Sequence, residues 1–248
     1  MDGEALLGGM ARSPAASSSI APPRRGDSSK TQGDETRLRI VIAAVEVFAA
    51  LGYEGAGTRE LAARANVNLA SLTYYFGGKP ALYKAAIDYV VARIDDIMRP
   101  SAQHVAETLA AGTWTGHCDE PLLQMLFDVL DQWINLNLGR TGQHWDKNWR
   151  HLLARAEVEP PIGDPWIYRT TTELILAPIA AIIGHLLRLK PDDERGIMLA
   201  MSILGQVGCF KPYRDGQVFA AGWASITDDR YRSILDMIHT NTRKLLDR

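Results

Sequence analysis

The chain of 248 residues is 46% apolar and 23% charged, proportions that are ordinary for a globular protein of one or two domains. Its apolar runs are too short for a membrane span, and Leu6-Leu7 is too short a core for a secretory signal, so we expect a cytoplasmic protein without a membrane partner. The net charge of −2 gives no support to non-specific nucleic-acid binding by the whole chain.

Motifs of metal, nucleotide and disulfide sites are incomplete in this sequence. Cys118 and Cys209 have no ligand-like neighbours and are interpreted as free thiols in a reducing compartment. Gly55-x-Gly57 lacks the third glycine of a dinucleotide loop, and Pro80 stands where a phosphate-binding loop requires Ser or Thr. We therefore expect no metal and no cofactor.

The first 35 residues are rich in Ser, Ala, Gly and Pro and show no apolar periodicity. This composition predicts a disordered tail over residues 1–35. Arg24-Arg25 can serve as an arm that reaches the DNA backbone or minor groove. A solvated tail without a function is the simpler interpretation.

Helical periodicity begins at Thr36 and continues to Gly52, which is predicted to end the first helix. The stretch from Thr58 to Phe76 then predicts two short helices joined by a tight turn. Thr58 and Asn68 are suitable N-caps, and Asn66 tolerates the left-handed backbone of the turn. Leu72 and Phe76, four residues apart, are predicted to anchor the second helix. Two helices with this spacing are typical of a helix-turn-helix, whose second helix enters the DNA major groove.

The remaining chain is also predicted to be helical. A helix opens at Lys79-Pro80 and is expected to end near Met98, since Pro100 follows, and a short helix over 101–111 comes next. Further helices are predicted to include residues 122–138, 165–189 with a kink at Pro178, 193–210, and a last helix capped by Asp228. No useful β-pattern appears, so the predicted fold is all-α.

Residues 36–93 carry seven basic and four acidic groups, so the positive charge of the chain falls on the predicted helix-turn-helix. Within this region, a family resemblance rests on residues between Thr36 and Tyr83. The matching positions are Phe48, Gly52-Tyr53, Thr58-Arg59, Leu61-Ala62, Val67, Leu72-Thr-Tyr-Tyr-Phe76, Lys79 and Leu82. This block resembles the DNA-binding domain of TetR-family transcriptional regulators. Asn68-Leu-Ala-Ser and Tyr74-Tyr-Phe-Gly-Gly-Lys further resemble the subgroup with a CerR-type C-terminal domain. The resemblance implies a DNA-binding domain at 36–83 and a helical effector-binding and dimerisation domain at 84–248.

Candidate DNA-binding residues follow from side-chain chemistry and lie where the family pattern places such roles. Short hydroxyl side chains approach base edges, tyrosines donate to phosphates or pack on sugars, and cations near helix N-termini bind phosphates. The candidates are Thr58, Arg59, Ser71, Thr73, Tyr74, Tyr75 and Lys79. One of the tyrosines can instead be a core residue, and Arg59 can be a solvated surface charge.

The larger domain is expected, from the resemblance, to hold an effector pocket and a dimer interface. Aromatic and polar residues within apolar helices are typical of small-molecule sites, although ordinary core packing or a satisfied buried polar group is the simpler explanation for each of them. The pocket candidates are Trp133, Asn137, Trp149, Trp166 and His185, with Trp145 and Tyr168 nearby in the sequence. Small residues predict close helix packing, namely Ala177, Ala180, Ala181, Gly184 and Gly205. A buried core within one chain is the alternative, and the resemblance favours the dimer interface.

The function expected from the sequence is a homodimeric, ligand-responsive repressor that binds double-stranded operator DNA and is released by a small molecule. An activator or a ligand-independent DNA-binder of the same fold is the nearest alternative. An all-α enzyme is a second alternative, but no motif of a nucleophile elbow, metalloprotease or redox pair is present. A helical adaptor is a third, and it would leave the helix-turn-helix without a role.

Overall fold

The computed structural model describes residues 25–112, 119–138, 147–158, 170–190, 193–210, 222–223 and 226–246. The chain divides into two compact units, residues 1–36 and 37–248. In the first unit, the described residues form the start of helix α1 (Arg25–Gly55). The sequence placed the onset of order at Thr36, whereas α1 begins at Arg25. A polar segment can extend an existing helix because propagation adds one hydrogen bond for each residue that is fixed. The predicted disorder of residues 1–24 lies outside the described residues.

The second unit begins with a small helical head. Helix α1 is followed by α2 (Thr58–Arg64), α3 (Leu69–Phe76) and α4 (Lys79–Ala110). Their buried side chains form most of a head cluster, which comprises the apolar residues of α1 to α3, those of α4 as far as Val91, and Leu152 from a later helix. The ring of Tyr83 lies at its centre, edge-on to Phe48 with centroids 4.9 Å apart. The predicted three-helix arrangement with the start of a fourth helix is therefore present.

The turns of the head agree closely with the sequence pattern, with one exception. Gly52 has a φ of 72° and interrupts α1, and Asn66 has a φ of 52° between α2 and α3. Asn68 caps α3, since its Oδ1 accepts a hydrogen bond from the backbone N–H of Ser71 at 2.7 Å. Thr58, however, is the first residue of α2, and Gly57 is its N-cap. The predicted capping role of Thr58 is wrong, because its backbone is already helical.

The rest of the second unit is built from further helices. They are α5 (Asp119–Leu138), α6 (Lys147–Val158), a π-helical turn (Thr172–Leu176) that continues into α7 (Ala177–Leu186), α8 (Arg195–Gly208) and α9 (Asp228–Leu246). A body cluster of apolar side chains joins α5, α7, α8 and α9 to the part of α4 from Ile94 onward. Helix α4 thus belongs to two cores, and the change occurs between Val91 and Ile94. The boundary at residue 83 stays a prediction.

Two sequence expectations in this region differ from the structure, and the predicted kink at Pro178 stays a prediction. Helix α4 continues through Pro100, because the proline ring is exposed while Met98 and Val105 on either side are buried in the body cluster. Before Pro178 the chain forms a π-helical turn, in which the N–H of Ala177 donates to the carbonyl of Thr172 five residues earlier. The last helix is capped by Thr227, whose Oγ1 accepts from the N–H of Arg230 at 3.4 Å. The all-α prediction is confirmed for the described residues.

Candidate nucleic-acid interface

Helix α3 separates its residues into a buried and an exposed face. Leu72 is 1% exposed and Phe76 is also buried, so this side of α3 is fixed to the head cluster. Leu69, Thr73 and Tyr74 point outward, and Tyr74 is 83% exposed. Ser71 and Tyr75 are half-buried at the edges of the exposed face. An eight-residue helix presented in this way has the form of a recognition helix.

The two tyrosines at the end of α3 have different environments. The rings of Tyr74 and Tyr75 meet edge-to-face with centroids 5.1 Å apart. Tyr75 also packs against the head cluster, so it corresponds to the alternative in which one tyrosine is part of the core. Tyr74 projects into solvent with both its ring and its hydroxyl. Of the pair, Tyr74 is therefore the more accessible to a ligand of the size of DNA.

The first turn of α2 supplies two further candidates beside α3. Arg59 is exposed, and Thr58 is half-buried at the start of the helix. The positive end of the α2 dipole and the unpaired N–H groups of its first turn favour an anion there. Thr58 and Arg59 therefore occupy a position that suits a phosphate group.

Lys79 begins α4 and is held by the end of α1. Its Nζ donates to the carbonyl of Glu54 at 3.4 Å and lies 4.5 Å from the centroid of the Tyr53 ring. An ammonium group has three N–H donors, so the hydrogen bond to Glu54 leaves donors that can bind a phosphate oxygen. The contacts with Tyr53 and Glu54 restrict the side chain and so reduce the entropy cost of binding.

Sequence reasoning missed the residues that hold the helix-turn-helix in place. The Nε of Arg39 on α1 donates to the carbonyl of Ala65 at 3.2 Å, directly before the turn at Asn66. The guanidinium of Arg37 lies 5.1 Å from the centroid of the Phe76 ring. The sequence pattern assigns these two arginines no role beyond local positive charge. No signal in the sequence pairs residues that are 26 positions apart.

The predicted pocket residues do not come together among the described residues. Trp133 and Asn137 lie on α5 in or against the body cluster, and the side-chain amide of Asn137 donates to the carbonyl of Trp133 at 2.7 Å. Trp149 instead packs against the head cluster, edge-on to Tyr89 at 5.8 Å. His185 is exposed, and its Nδ1 contacts the carbonyl of Ala181 at 3.0 Å. Trp166, like Trp145 and Tyr168, lies outside the described residues. The described candidates therefore lie in different surroundings and do not line one common pocket.

Residues of α7 and α8 line an open groove of about 750 Å³, and several of the α7 residues are small. The α7 residues predicted to lie at the interface line this groove, together with His185, Gly196 and Ile197. Gly196 permits the close approach of the helices, because a Cβ at this position would lie only 3.2 Å from the carbonyl oxygen of Ala180. On α8, Ile197, Met198 and Met201 are large apolar side chains with about half or more of their surface exposed. An apolar face of this kind is typical of an interaction surface.

Charged groups along α5 and α9 form two contacts between these helices. Arg243 donates to Glu120 at 2.8 Å, and this contact lowers the pKa of the Glu120 carboxyl. His239 lies 2.7 Å from Asp131 and stacks on the Phe127 ring with centroids 4.1 Å apart. Burial raises the pKa of Asp131, because it outweighs the hydrogen bond from His239. These contacts fix α9 against α5.

Other chemistries have little support in the described parts of the chain. There, no three His, Cys, Asp or Glu side chains are grouped to hold a metal ion. Cys209 is an exposed free thiol, whereas Cys118 lies outside the described residues. None of the helices in these parts is long and apolar enough to cross a membrane.

Comparisons with known proteins assign both parts of the chain. Residues 40–86 match the model of bacterial regulatory proteins of the tetR family, and residues 128–247 match that of the C-terminal domain of the HTH-type transcriptional dual regulator CecR. The second match corrects the CerR type expected from the sequence to the CecR type. Over 206 residues the chain is 25% identical to CecR of Shigella flexneri, covering 80% of this chain and 86% of CecR.

Solved structures share the fold. A TetR-family transcriptional regulator from Mesorhizobium loti gives a TM-score of 0.54 at 14% identity, covering 87% of this chain and 96% of that chain. AibR, in a complex with isovaleryl coenzyme A and operator DNA, gives a TM-score of 0.54 at 16% identity, covering 82% of this chain and 96% of AibR. Both similarities concern the fold alone, since the sequence identities are low.

Proposed function

Because the chain belongs to the TetR family of transcriptional regulators, we propose that it is a homodimeric repressor that a small molecule releases from a pseudo-palindromic operator. Residues 36–83 form the DNA-binding part, and residues 84–248 bind the effector and the partner subunit. A cytoplasmic location follows from operator binding.

The observation that carries this proposal is the exposed face of α3. Leu72 and Phe76 fix the helix to the head cluster, while Thr73 and Tyr74 project from it. Hydrogen bonds to phosphates set the register of such a helix on DNA, and short side chains at its surface read base edges. Thr58, Arg59, Tyr75 and Lys79 flank this face and supply contacts to the backbone. Ser71 and Thr73 are then the residues closest to the bases.

The apolar face of α7 and α8 supports a two-fold dimer. Met198 and Met201 expose 60% and 59% of their surface, which is costly for a side chain that remains in water. A second copy of the same face would cover these residues, and the small residues of α7 would allow close helix packing. A two-fold axis would place two α3 helices about 34–36 Å apart, or a multiple of this distance, to match successive major grooves.

Release by an effector requires a difference in its affinity for two conformations. A small molecule lowers operator affinity only if it binds the DNA-incompetent arrangement of the two heads more tightly. The AibR complex, which holds both isovaleryl coenzyme A and operator DNA, supports control of this fold by a small molecule.

Activation is a second candidate function, and a specific finding favours it. The curated relative CecR is named a dual regulator. The same DNA-binding face would serve a repressor and an activator equally, because the outcome depends on where the operator lies relative to the promoter. Reporter expression with and without the chain distinguishes the two.

The direct test measures binding to the DNA upstream of the chain's own gene by fluorescence anisotropy at several salt concentrations. Wild type should bind this duplex more tightly than a scrambled duplex. Lys79→Ala should bind more weakly, and its plot of log K against log salt should be shallower by about one phosphate contact per head. Equal affinity for both duplexes at physiological salt would contradict the proposed function.

A further inference from the structure

Helix α6 lies far from the helix-turn-helix in sequence but packs against the head. Leu152 is fully buried and belongs to the head cluster, and Trp149 contacts Tyr89 within the same cluster. The neighbouring Leu153 packs against both the head cluster and the body cluster. Helix α6 is therefore a second connection between the two cores, in addition to α4.

Arg155 links α6 to the end of the regular part of α1. Its Nε donates to the carbonyl of Ala49 at 3.0 Å, and its Nη2 donates to the carbonyl of Ala50 at 3.3 Å. These carbonyl groups lie in the last turn before Gly52, where the backbone leaves helical geometry. Carbonyl groups at a helix end lack intrahelical partners and carry the negative end of the helix dipole. A guanidinium group, with two parallel donors and a permanent charge, suits this position.

We propose that Arg155 is a positioning residue that holds the DNA-binding head in the orientation required for operator binding. This inference rests on the proposed function. The residues that follow Gly52 lead directly into α2, so restraining the last turn of α1 restrains the start of the helix-turn-helix. Lys79 contacts the carbonyl of Glu54 in the same segment, which places the restraint next to a candidate phosphate contact.

Loss of this restraint should lower operator affinity without removing a DNA contact. A head that samples several orientations is competent for only part of the time, and the apparent Kd rises in inverse proportion to that fraction. We expect Arg155→Ala to raise the Kd about tenfold, since hydrogen bonds from a charged group are stronger than neutral ones. The salt dependence of binding should be unchanged, because the number of phosphates contacted is the same. This separates Arg155 from Lys79, whose loss should make the salt dependence shallower.

The experiment compares Arg155→Ala, Arg155→Lys and a matched control in the full-length protein. Arg232→Ala is the control, because Arg232 is exposed on α9 and pairs with Asp229 on the same helix. This substitution removes the same positive charge as Arg155→Ala. Operator Kd and salt dependence are measured by fluorescence anisotropy, and thermal unfolding shows that each variant is folded. Arg155→Lys keeps the charge but not the fork of donors, so it should restore part of the affinity. Arg232→Ala should bind like wild type.

Amide hydrogen exchange supplies a readout that does not need DNA. Arg155→Ala should accelerate exchange between Gly52 and Ala62, while the amides of α9 exchange as in wild type. Unchanged exchange in this segment, or an unchanged operator Kd where wild type binds, would overturn the positioning role. If the wild-type protein binds no operator but Arg155→Ala still accelerates exchange in this segment, the result contradicts only the proposed function.

Discussion

Tyr74→Ala is the substitution that tests the α3 face most directly. Tyr74 is 83% exposed and touches mainly the ring of Tyr75, so its removal should change the free energy of unfolding by only about 0.5 kcal/mol. On DNA, the hydroxyl hydrogen bond and the ring packed on the backbone should together contribute about 1.5 kcal/mol per head. Two heads then give about 3 kcal/mol, which corresponds to roughly a 100-fold rise in Kd.

Fluorescence anisotropy with a labelled upstream duplex measures this rise. Tyr74→Phe is the matched variant, because it keeps the ring and removes only the hydroxyl, and it should lose about tenfold in affinity. Both proteins should unfold within a few degrees of wild type. A Kd for Tyr74→Ala within twofold of the wild-type value would refute the assignment of this face to DNA.

Three further predictions concern stability and assembly. Leu72→Ala should lower the free energy of unfolding by about 2–5 kcal/mol, measured by denaturant titration, because Leu72 is 1% exposed; a loss below about 1 kcal/mol would contradict its anchoring role. Met201→Glu should give a monomer by light scattering at micromolar concentration, since it places a charge in the proposed interface, whereas Met237→Glu on α9 should remain a dimer. Burial raises the pKa of Asp131, so ionisation of this carboxyl costs stability in the folded state, and its contribution to the free energy of unfolding should be lost as the pH rises from about 4. Asp131→Asn should lack this loss, and its melting temperature relative to wild type should be higher at pH 7 than at pH 4; the opposite trend would show that the pair with His239 dominates.

Local interactions account for the part of the fold that the sequence predicts well. The cap at Asn68, the left-handed Asn66 and the break at Gly52 each depend on one residue and its immediate neighbours. The same holds for Leu72 and Phe76, whose spacing alone puts them on one face of a helix. These features sufficed to identify the helix-turn-helix and, through it, the family.

Features that depend on distant residues were not predictable in this way. Pro100 signals a helix end locally, but buried side chains on both sides keep α4 continuous. Trp149 and His185 have the composition expected of a pocket, yet one packs on the head and the other lies in the groove of α7 and α8. The contact between Arg155 and Ala49 spans 106 positions, and a single sequence gives no means to pair two residues so far apart.

The burial of Leu152 in the head cluster has a practical consequence for building hybrid regulators. A hybrid that exchanges only residues 36–83 would place a foreign head against an α6 shaped for the original one. Leu152 would then meet a cavity or a clash, which typically costs several kcal/mol in a packed core. A graft that also carries α4 to Val91 and the α6 residues Trp149, Leu152 and Arg155 preserves the original contacts. The transferable module of this protein is therefore discontinuous in sequence, and a hybrid should exchange the head together with these α6 residues.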